Sequence, residues 1–427
     1  METAKLYDLY RTYPQVATDT RGELDNKIFF CLKGPNFNAN TFAKEALSKG
    51  AAYVVSDEPG NAGNEKIIIV TDVLQALQQL ARFHRSQFAK PVIGLTGSNG
   101  KTTNKELMAA VLATTYTTHA TKGNLNNHIG VPLSLLSLHP DAEIAVIEMG
   151  ANHQGEIRDL SNICLPDYGL ITNIGLAHVE GFGGPEGVKK GKKELFDHIR
   201  THGGKVFVNA DDPVLMEISA GLDRILFGRS QGNYVQGTLI RNQPFVSVSY
   251  SIGGFTSPPI QTQLVGDYNF ANIMAAICVG CYFGVSHPNI TRALETYAPT
   301  NQRSQLVKTA RNTLVLDAYN ANPNSMEAAV RNFAAMPGPK LALLGHMLEL
   351  GEDATHYHQE LIDLLVDLGL EAMLAGEHFA ACDLKGYRWF ENSDLLAAHL
   401  ATQNISGYSI LLKGSRMAAM EKLEKVL

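Results

Sequence analysis

The chain has 427 residues, 45% hydrophobic and 18% charged, too many for one ordinary core, so two to three domains are expected. A net charge of -6 argues against a polyanion such as nucleic acid as a general partner, although a local basic site stays open. Five cysteines, sparse and odd in number, fit a reduced compartment better than a disulfide framework.

In chain order, METAKLYDLYRTYPQ has no apolar stretch of the signal-peptide kind. No later run nears the roughly 20 apolar residues that span a bilayer. A cytoplasmic protein without membrane insertion is therefore expected. KIFFCL (27–32) reads as a buried strand. NTFAKEALSKG (40–50) reads as a short amphipathic helix closed by Gly50. AAYVVS and KIIIV read as strands, and DVLQALQQLARFHRSQF as a helix with apolar residues at helical spacing. Pro91 follows at a boundary, so residues 1–89 form the first predicted unit.

PVIGLT opens the second unit as a continuous apolar strand, followed by a Gly-rich turn and a helix from about Thr102. EIAVIEM (143–149), YGLITN (168–173) and KVFVNA (205–210) are further buried strands. Apolar runs separated by helices predict a parallel sheet covered on both faces. Residues 231–265 alternate and contain Pro258-Pro259, which predicts antiparallel strands. ANIMAAICVGCYFGV (271–285) predicts an apolar helix. Near Pro299 a third unit begins. TLVLDAYN, KLALLG, EAMLAG and YSILLKG are predicted strands, each followed by a helical stretch, as in a doubly wound sheet. The predicted class is α/β, with a small α/β unit (1–89), a central phosphate-loop parallel-sheet unit (90–298) and a Rossmann-like C-terminal unit (299–427).

The strongest chemical signal is Gly94-Leu-Thr-Gly-Ser-Asn-Gly-Lys-Thr-Thr103, set between a strand and a helix. The small residues Gly97, Ser98, Asn99 and Gly100 let backbone N–H groups approach phosphate oxygens. A helix N-terminus adds positive partial charge. Lys101 suits the β- and γ-phosphates, Thr102 a magnesium ion, and Thr103 completes the run. The spacing departs from the usual phosphate loop, with Leu95 where a first glycine is standard.

Glu148 ends a strand, at the crevice where α/β proteins bind ligands, and offers the hard oxygen that magnesium prefers. His178 follows another strand end; from spacing alone such a histidine is more often structural than metal-binding. VKKGKKEL (188–195) reads as a solvated basic helix face. Cys278 and Cys281 form a lone CxxC inside an apolar helix and read as core packing. GNLNNHIGVP (123–132) and AYNANPNS (318–325) are either turns or clusters of substrate-orienting amides. LLKGSRMAAM (411–420) reads as strand, Lys413-Gly414-Ser415-Arg416 loop, then helix N-terminus, a possible anion site.

TGSNGKTT (96–103) closely resembles the ATP loop of Mur ligases and folylpolyglutamate synthases. EMGANHQGEI, GNLNNHIGVPLSLL, TNIGLAHVEGFG, NADDP, DAYNANPNSM, MLELGE and LKGSR accompany it over nearly the whole chain. Together they resemble the dipeptide-adding branch of the Mur ligase family. That resemblance implies an ATP-dependent amide ligase acting through an acyl phosphate, with ATP and Mg2+ as cofactors. It implies UDP-N-acetylmuramoyl-tripeptide and D-alanyl-D-alanine as substrates; a monomer is the expected state.

Carried over residue by residue, the resemblance puts Lys101, Glu148, His178 and Lys192 at catalytic positions, with Thr102, Glu148, His178 and Lys192 around magnesium. Lys192 matches the lysine that the family carbamylates. Asn272, Arg303 and Asp317 match nucleotide contacts. Asp19, Thr20 and Arg21 match a UDP-substrate segment. Asn126 and Asn127, Asn320 and Asn322, and Lys413, Ser415 and Arg416 are the remaining substrate candidates. Departures from the family pattern fall at His346, Lys193 and Tyr268, where Asp, Gly and His are usual. The alternative is a single-amino-acid or folylpolyglutamate-type ligase; a plain phosphate-loop NTPase leaves the third unit without a purpose.

Overall fold

The computed structural model describes residues 3–241, 243–300 and 303–427. Near the N-terminus, four short parallel strands lie in the order Val16–Ala17, Ile28–Phe30, Tyr53–Ser56 and Ile67–Ile69. The helix Val73–Gln87 covers them. Asp72 caps it by accepting from the Gln75 N–H at 2.8 Å, and Val73, Leu77, Leu80 and Ala81 form its buried stripe. Arg85, 6% exposed, ties this layer to the next segment. It donates to Cys164 O at 3.0 Å, Leu165 O at 2.7 Å and Asp167 Oδ2 at 2.8 Å. A helix over Thr3–Thr12, which the sequence reading did not anticipate, buries Leu6 and Tyr10 one turn apart.

A ten-stranded sheet fills the middle of the chain. Its path runs Phe255–Thr256, Ser247–Ile252, Val235–Arg241, Arg224–Gly228, Lys205–Asn209, Tyr168–Ile171, Val92–Thr96, Ile144–Glu148, Thr118–Ala120, with Ile260–Gln261 paired to Ser247–Ile252. The strands from Thr118 through Val235 are parallel, and the pairs beyond are antiparallel, as the change of pattern after residue 231 suggested. Strand order reverses at Val92–Thr96, which pairs with Ile144–Glu148 on one side and Tyr168–Ile171 on the other. Loops after the strands at such a switch point splay apart and leave a crevice. The helix Asn269–Tyr282, largely buried, carries Cys278 as a free thiol inside the core and Cys281 as one packed at its edge.

The third sheet has six strands in the order Gln305–Lys308, Thr313–Asp317, Ser409–Lys413, Lys340–Gly345, Ala372–Ala375 and Arg388–Phe390. Only the first pair is antiparallel. One expectation fails here. The last strand leads into no α-helix, but into two 3-10 segments, Arg416–Ala418 and Met420–Val426. Ala419 between them has a φ of +49°, which a right-handed helix cannot contain. A period of three brings Met420 and Leu423 together onto the sheet, where both are buried.

Candidate active site

A cleft of about 1100 Å³ opens at the C-terminal edge of the central sheet and is closed on its far side by the third sheet's loops. Its lining joins Ser98 through Thr103, Asn126, Asn127, Glu148, His178 and Asn272 to Arg303, Asp317, Asn320, Asn322 and Lys413. Gly97, Lys192, Ser415 and Arg416 lie behind or beside that lining. Asp19, Thr20 and Arg21 lie outside it.

The phosphate loop takes its shape from two glycines. Gly97 has a φ of +144°, and a Cβ there would lie 1.9 Å from Thr172 Oγ1. Gly100 has a φ of +77°, and a Cβ there would lie 2.7 Å from Asn272 Oδ1. Both conformation and space therefore demand glycine. The helix Lys101–Leu112 follows at once. The neighbouring strand end braces the loop. Asn99 N donates to Asn173 Oδ1 at 2.9 Å, Thr172 Oγ1 donates to Asn99 O at 2.6 Å, and Ser98 Oγ donates to Gly175 O at 2.9 Å. The Lys101 amine lies across the loop on the carbonyls of Gly97 and Ser98, at 2.6 and 3.1 Å. Desolvation draws its pKa down to about 8, against the pull of Glu148.

Glu148 is 1% exposed and almost fully partnered. Thr102 Oγ1 donates to its carboxylate at 3.0 and 3.2 Å, and Asn126 Nδ2 donates at 2.8 Å. Lys105 Nζ stands 4.0 Å away. A buried carboxylate needs such partners to stay charged. Lys105 and Thr121, whose Oγ1 accepts from the Glu148 N–H at 3.0 Å, carried no motif signal. Their roles exist only once the strands are paired. Asn127 turns out to be a turn residue: its Oδ1 accepts from Ile129 N and Gly130 N, at 3.1 and 2.8 Å. Asn272 belongs to a chain of amides, accepting from Asn104 Nδ2 at 2.6 Å and donating to Asn269 Oδ1 at 2.8 Å.

The metal candidates split into two groups. Thr102 and Glu148 meet directly. His178, at a φ of +55°, sets its Nδ1 against the carboxylate of Glu349 from the MLELGE turn. That contact holds the Glu349 carboxyl below its usual range. Lys192 is completely buried; its Nζ donates to Ala151 O at 3.2 Å and stands 4.9 Å over the Phe182 ring. Among the described residues it joins no ion pair. Burial pushes its amine well below the ordinary lysine value, and nearby Lys101 adds to this while Glu156 and Glu194 oppose it.

From the third sheet, Lys413 is 2% exposed and donates to Asp317 Oδ2 at 2.6 Å. Arg303 stacks on Tyr319 with 3.7 Å between guanidinium carbon and ring centre, and its buried Nε has no partner among the described residues. Arg416 lies 5.4 Å from the same ring. Asn320 Oδ1 accepts from Ala321 N at 2.9 Å. The Ser415 hydroxyl is buried without a partner among the described residues. Tyr319, missed in the sequence reading, sits inside the AYNANPNS segment that was singled out. Outside the cleft lining, Arg21 and Asp19 form an exposed ion pair at 2.6 Å, which lowers the Asp19 carboxyl to about 2.

A family model described as the Mur ligase middle domain matches residues 95–280, and one described as the Mur ligase, glutamate ligase domain matches residues 302–416. The chain is 36% identical to a UDP-N-acetylmuramoyl-tripeptide--D-alanyl-D-alanine ligase of Bacillus subtilis over 96% of its own length and 92% of the relative's. It is 34% identical to the Escherichia coli protein of that name, over 97% of this chain and 94% of that one. Among solved structures, MurF from Acinetobacter baumannii superposes with a TM-score of 0.87 at 32% identity, covering 96% and 92% of the two chains. MurF ligase from Thermotoga maritima in complex with ADP superposes with a TM-score of 0.86 at 26% identity, covering 98% and 97%. The phosphate loop, the carboxylate beside it and the likeness along nearly the full length agree: this chain belongs to the Mur ligase family.

Proposed function

We propose that the protein is the ATP-dependent ligase that joins D-alanyl-D-alanine to UDP-N-acetylmuramoyl-tripeptide, the last cytoplasmic step in making the peptidoglycan precursor. The carrying observation is a single cleft that unites a phosphate loop, a buried strand-end carboxylate and the YNANP segment of the third sheet. Three domains, 1–89, 90–298 and 299–427, divide the work. The first takes the uridine diphosphate end of the substrate, with Asp19, Thr20 and Arg21. The second takes ATP. The third brings the dipeptide, with Asn320 and the Lys413–Arg416 loop.

A carboxylate does not form an amide with an amine in water without activation. Transfer of the γ-phosphoryl group to the tripeptide's terminal carboxylate gives an acyl phosphate, the dipeptide amine attacks its carbonyl carbon, and phosphate leaves. Lys101 and the N–H groups of the loop neutralise charge that builds on the transferred group. Arg303, which lines the cleft and stacks on Tyr319, supplies a second cation from the third domain. Closure by that domain excludes water that would hydrolyse the acyl phosphate.

Magnesium suits the oxygen donors of Thr102 and Glu148, which already touch each other, and when bound it offsets phosphate charge. His178 lies close by on the 172–180 segment. Lys192 fits carbamylation: burial, with no ion pair among the described residues, favours the uncharged amine, the form that adds to CO2 and loses a proton to give a carbamate. Lys192→Ala is expected to abolish most ligation, with partial return on adding a short carboxylate such as formate; full activity in that variant would remove the assignment.

The function is tested by supplying ATP, magnesium, UDP-muramoyl-tripeptide and D-alanyl-D-alanine, then omitting each in turn while reading phosphate release and product mass. A pentapeptide product that needs every component supports the proposal. Phosphate release indifferent to the dipeptide, without pentapeptide, points to a plain NTPase instead.

A further inference from the structure

Three side chains of the C-terminal domain touch the two segments that build the ATP site. Asn322 Nδ2 donates to Asn99 Oδ1 of the phosphate loop at 2.7 Å. Asn324 Oδ1 accepts from Leu176 N at 2.6 Å, two residues before His178. Glu349 meets His178 itself, and its backbone oxygen accepts from Glu180 N at 3.4 Å. Glu349 and His178 face each other with both backbones left-handed, at φ values of +61° and +55°. Non-glycine residues hold that conformation only where surrounding contacts enforce it.

Asn322 is the most informative of the three. It is the N-cap of the helix Pro323–Ala334, and its Oδ1 accepts from Ser325 N at 2.9 Å. Its oxygen serves the helix and also accepts from Asn99 Nδ2 at 3.4 Å, while its amide nitrogen donates to Asn99. An amide spent in this way has little left for a dipeptide.

Resting on the ligase reading above, we infer that Asn322 and Asn324 are positioning residues that dock the C-terminal domain onto the phosphate loop and the 173–178 segment. Docking orders Asn99 and the chain leading to His178 together. Phosphoryl transfer then proceeds only with the dipeptide's domain in place. Asn322 contributes through Asn99 rather than by touching the dipeptide.

The test uses the full-length enzyme. Asn322→Ser keeps a capping hydroxyl for Ser325 N but cannot donate to Asn99. Asn324→Ala removes an exposed side chain that caps nothing. Each should lower kcat for pentapeptide formation about tenfold, the typical consequence of one lost hydrogen bond, with the KM for ATP changing much less. Asn99→Ala and Asn322→Ser should be strongly non-additive in a double-mutant cycle. Small-angle scattering should show the wild type contracting with a non-hydrolysable ATP analogue, tripeptide substrate and dipeptide, and the Asn322→Ser/Asn324→Ala variant failing to contract.

Wild-type kcat and contraction in the double variant would overturn the inference. So would additive effects in the cycle, or a raised KM for ATP with kcat unchanged, which would make Asn322 a nucleotide contact. A wild type that yields no pentapeptide would instead sink the ligase reading, and the scattering comparison would still decide whether these residues dock the domain.

Discussion

Two strands of this molecule end in nearly the same words. Val92–Thr96 runs into Gly-Ser-Asn-Gly-Lys-Thr, and Ser409–Lys413 ends on its lysine and runs into Gly-Ser-Arg. Both read as anion sites, yet the structure builds them differently. In the first, two positive-φ glycines turn the chain and a 12-residue helix begins at Lys101, so backbone N–H groups and the lysine converge on one cleft. In the second, the lysine lies within the strand, beside Asp317 on the neighbouring strand, and is neutralised there. The chain then continues in 3-10 turns, without the aligned peptide dipoles of a long helix. A strand–loop pattern makes a phosphate cradle when its cation stands beyond the turn at the start of a helix; a lysine on the last residue of the strand is held instead in an ion pair with the neighbouring strand.

That contrast can be broken most directly at the two lysines. Lys101→Ala should lower kcat about 10²–10³-fold, as loss of a preorganised charge at the reacting group does, with unfolding by urea nearly unchanged. Comparable ligation by that variant would end the catalytic reading of the first loop. Lys413→Ala should show the reverse emphasis. It strands Asp317, and breaking a buried pair costs about 3 kcal/mol or more; Asp317 is part-exposed, so the low end is expected, read as a shift in the urea midpoint. A Lys413→Ala protein as stable as the parent would mean that the pair with Asp317 adds nothing to stability.

The smallest effect concerns how the third sheet presents its turn to the first loop. His358 Nε2 accepts from Met347 N at 2.9 Å, and its Nδ1 bonds Ala354 O at 2.6 Å, so the MLELGE turn rests on the neutral ring. Burial lowers the His358 pKa from the ordinary 6.5 to about 4. The unfolded chain therefore takes up a proton first as pH falls. The stability from the neutral ring is complete above about 6.5 and is lost as pH drops towards 4. Thermal melts across that window should fall less steeply for His358→Gln than for the parent; identical slopes would show that the ring's protonation is not coupled to folding.

Much of this was legible without coordinates, for local reasons. Gly97, Gly100 and Lys101 announce their loop because phosphate cradles need small residues and a cation at fixed spacing. The buried strands announce themselves as apolar runs, and Glu148 as an acid at a strand end. The helix expected after Arg416 was not there, because Met420 and Leu423 reach the sheet at a three-residue period that the apolar pattern alone did not distinguish from a helix. The partners of Glu148, Lys192 and His178 were beyond reach for a different reason. Thr121, Ala151 and Glu349 lie 27, 41 and 171 residues away along the chain, and separations of that size leave no periodic trace. The sequence by itself determined the buried strands, the phosphate loop and the family, since these depend on neighbours in the chain. Which charges are paired, which amine is buried and which asparagine reaches the phosphate loop were decided only by tertiary structure, because each depends on partners that folding brings within about 3 Å, the range over which hydrogen bonds act.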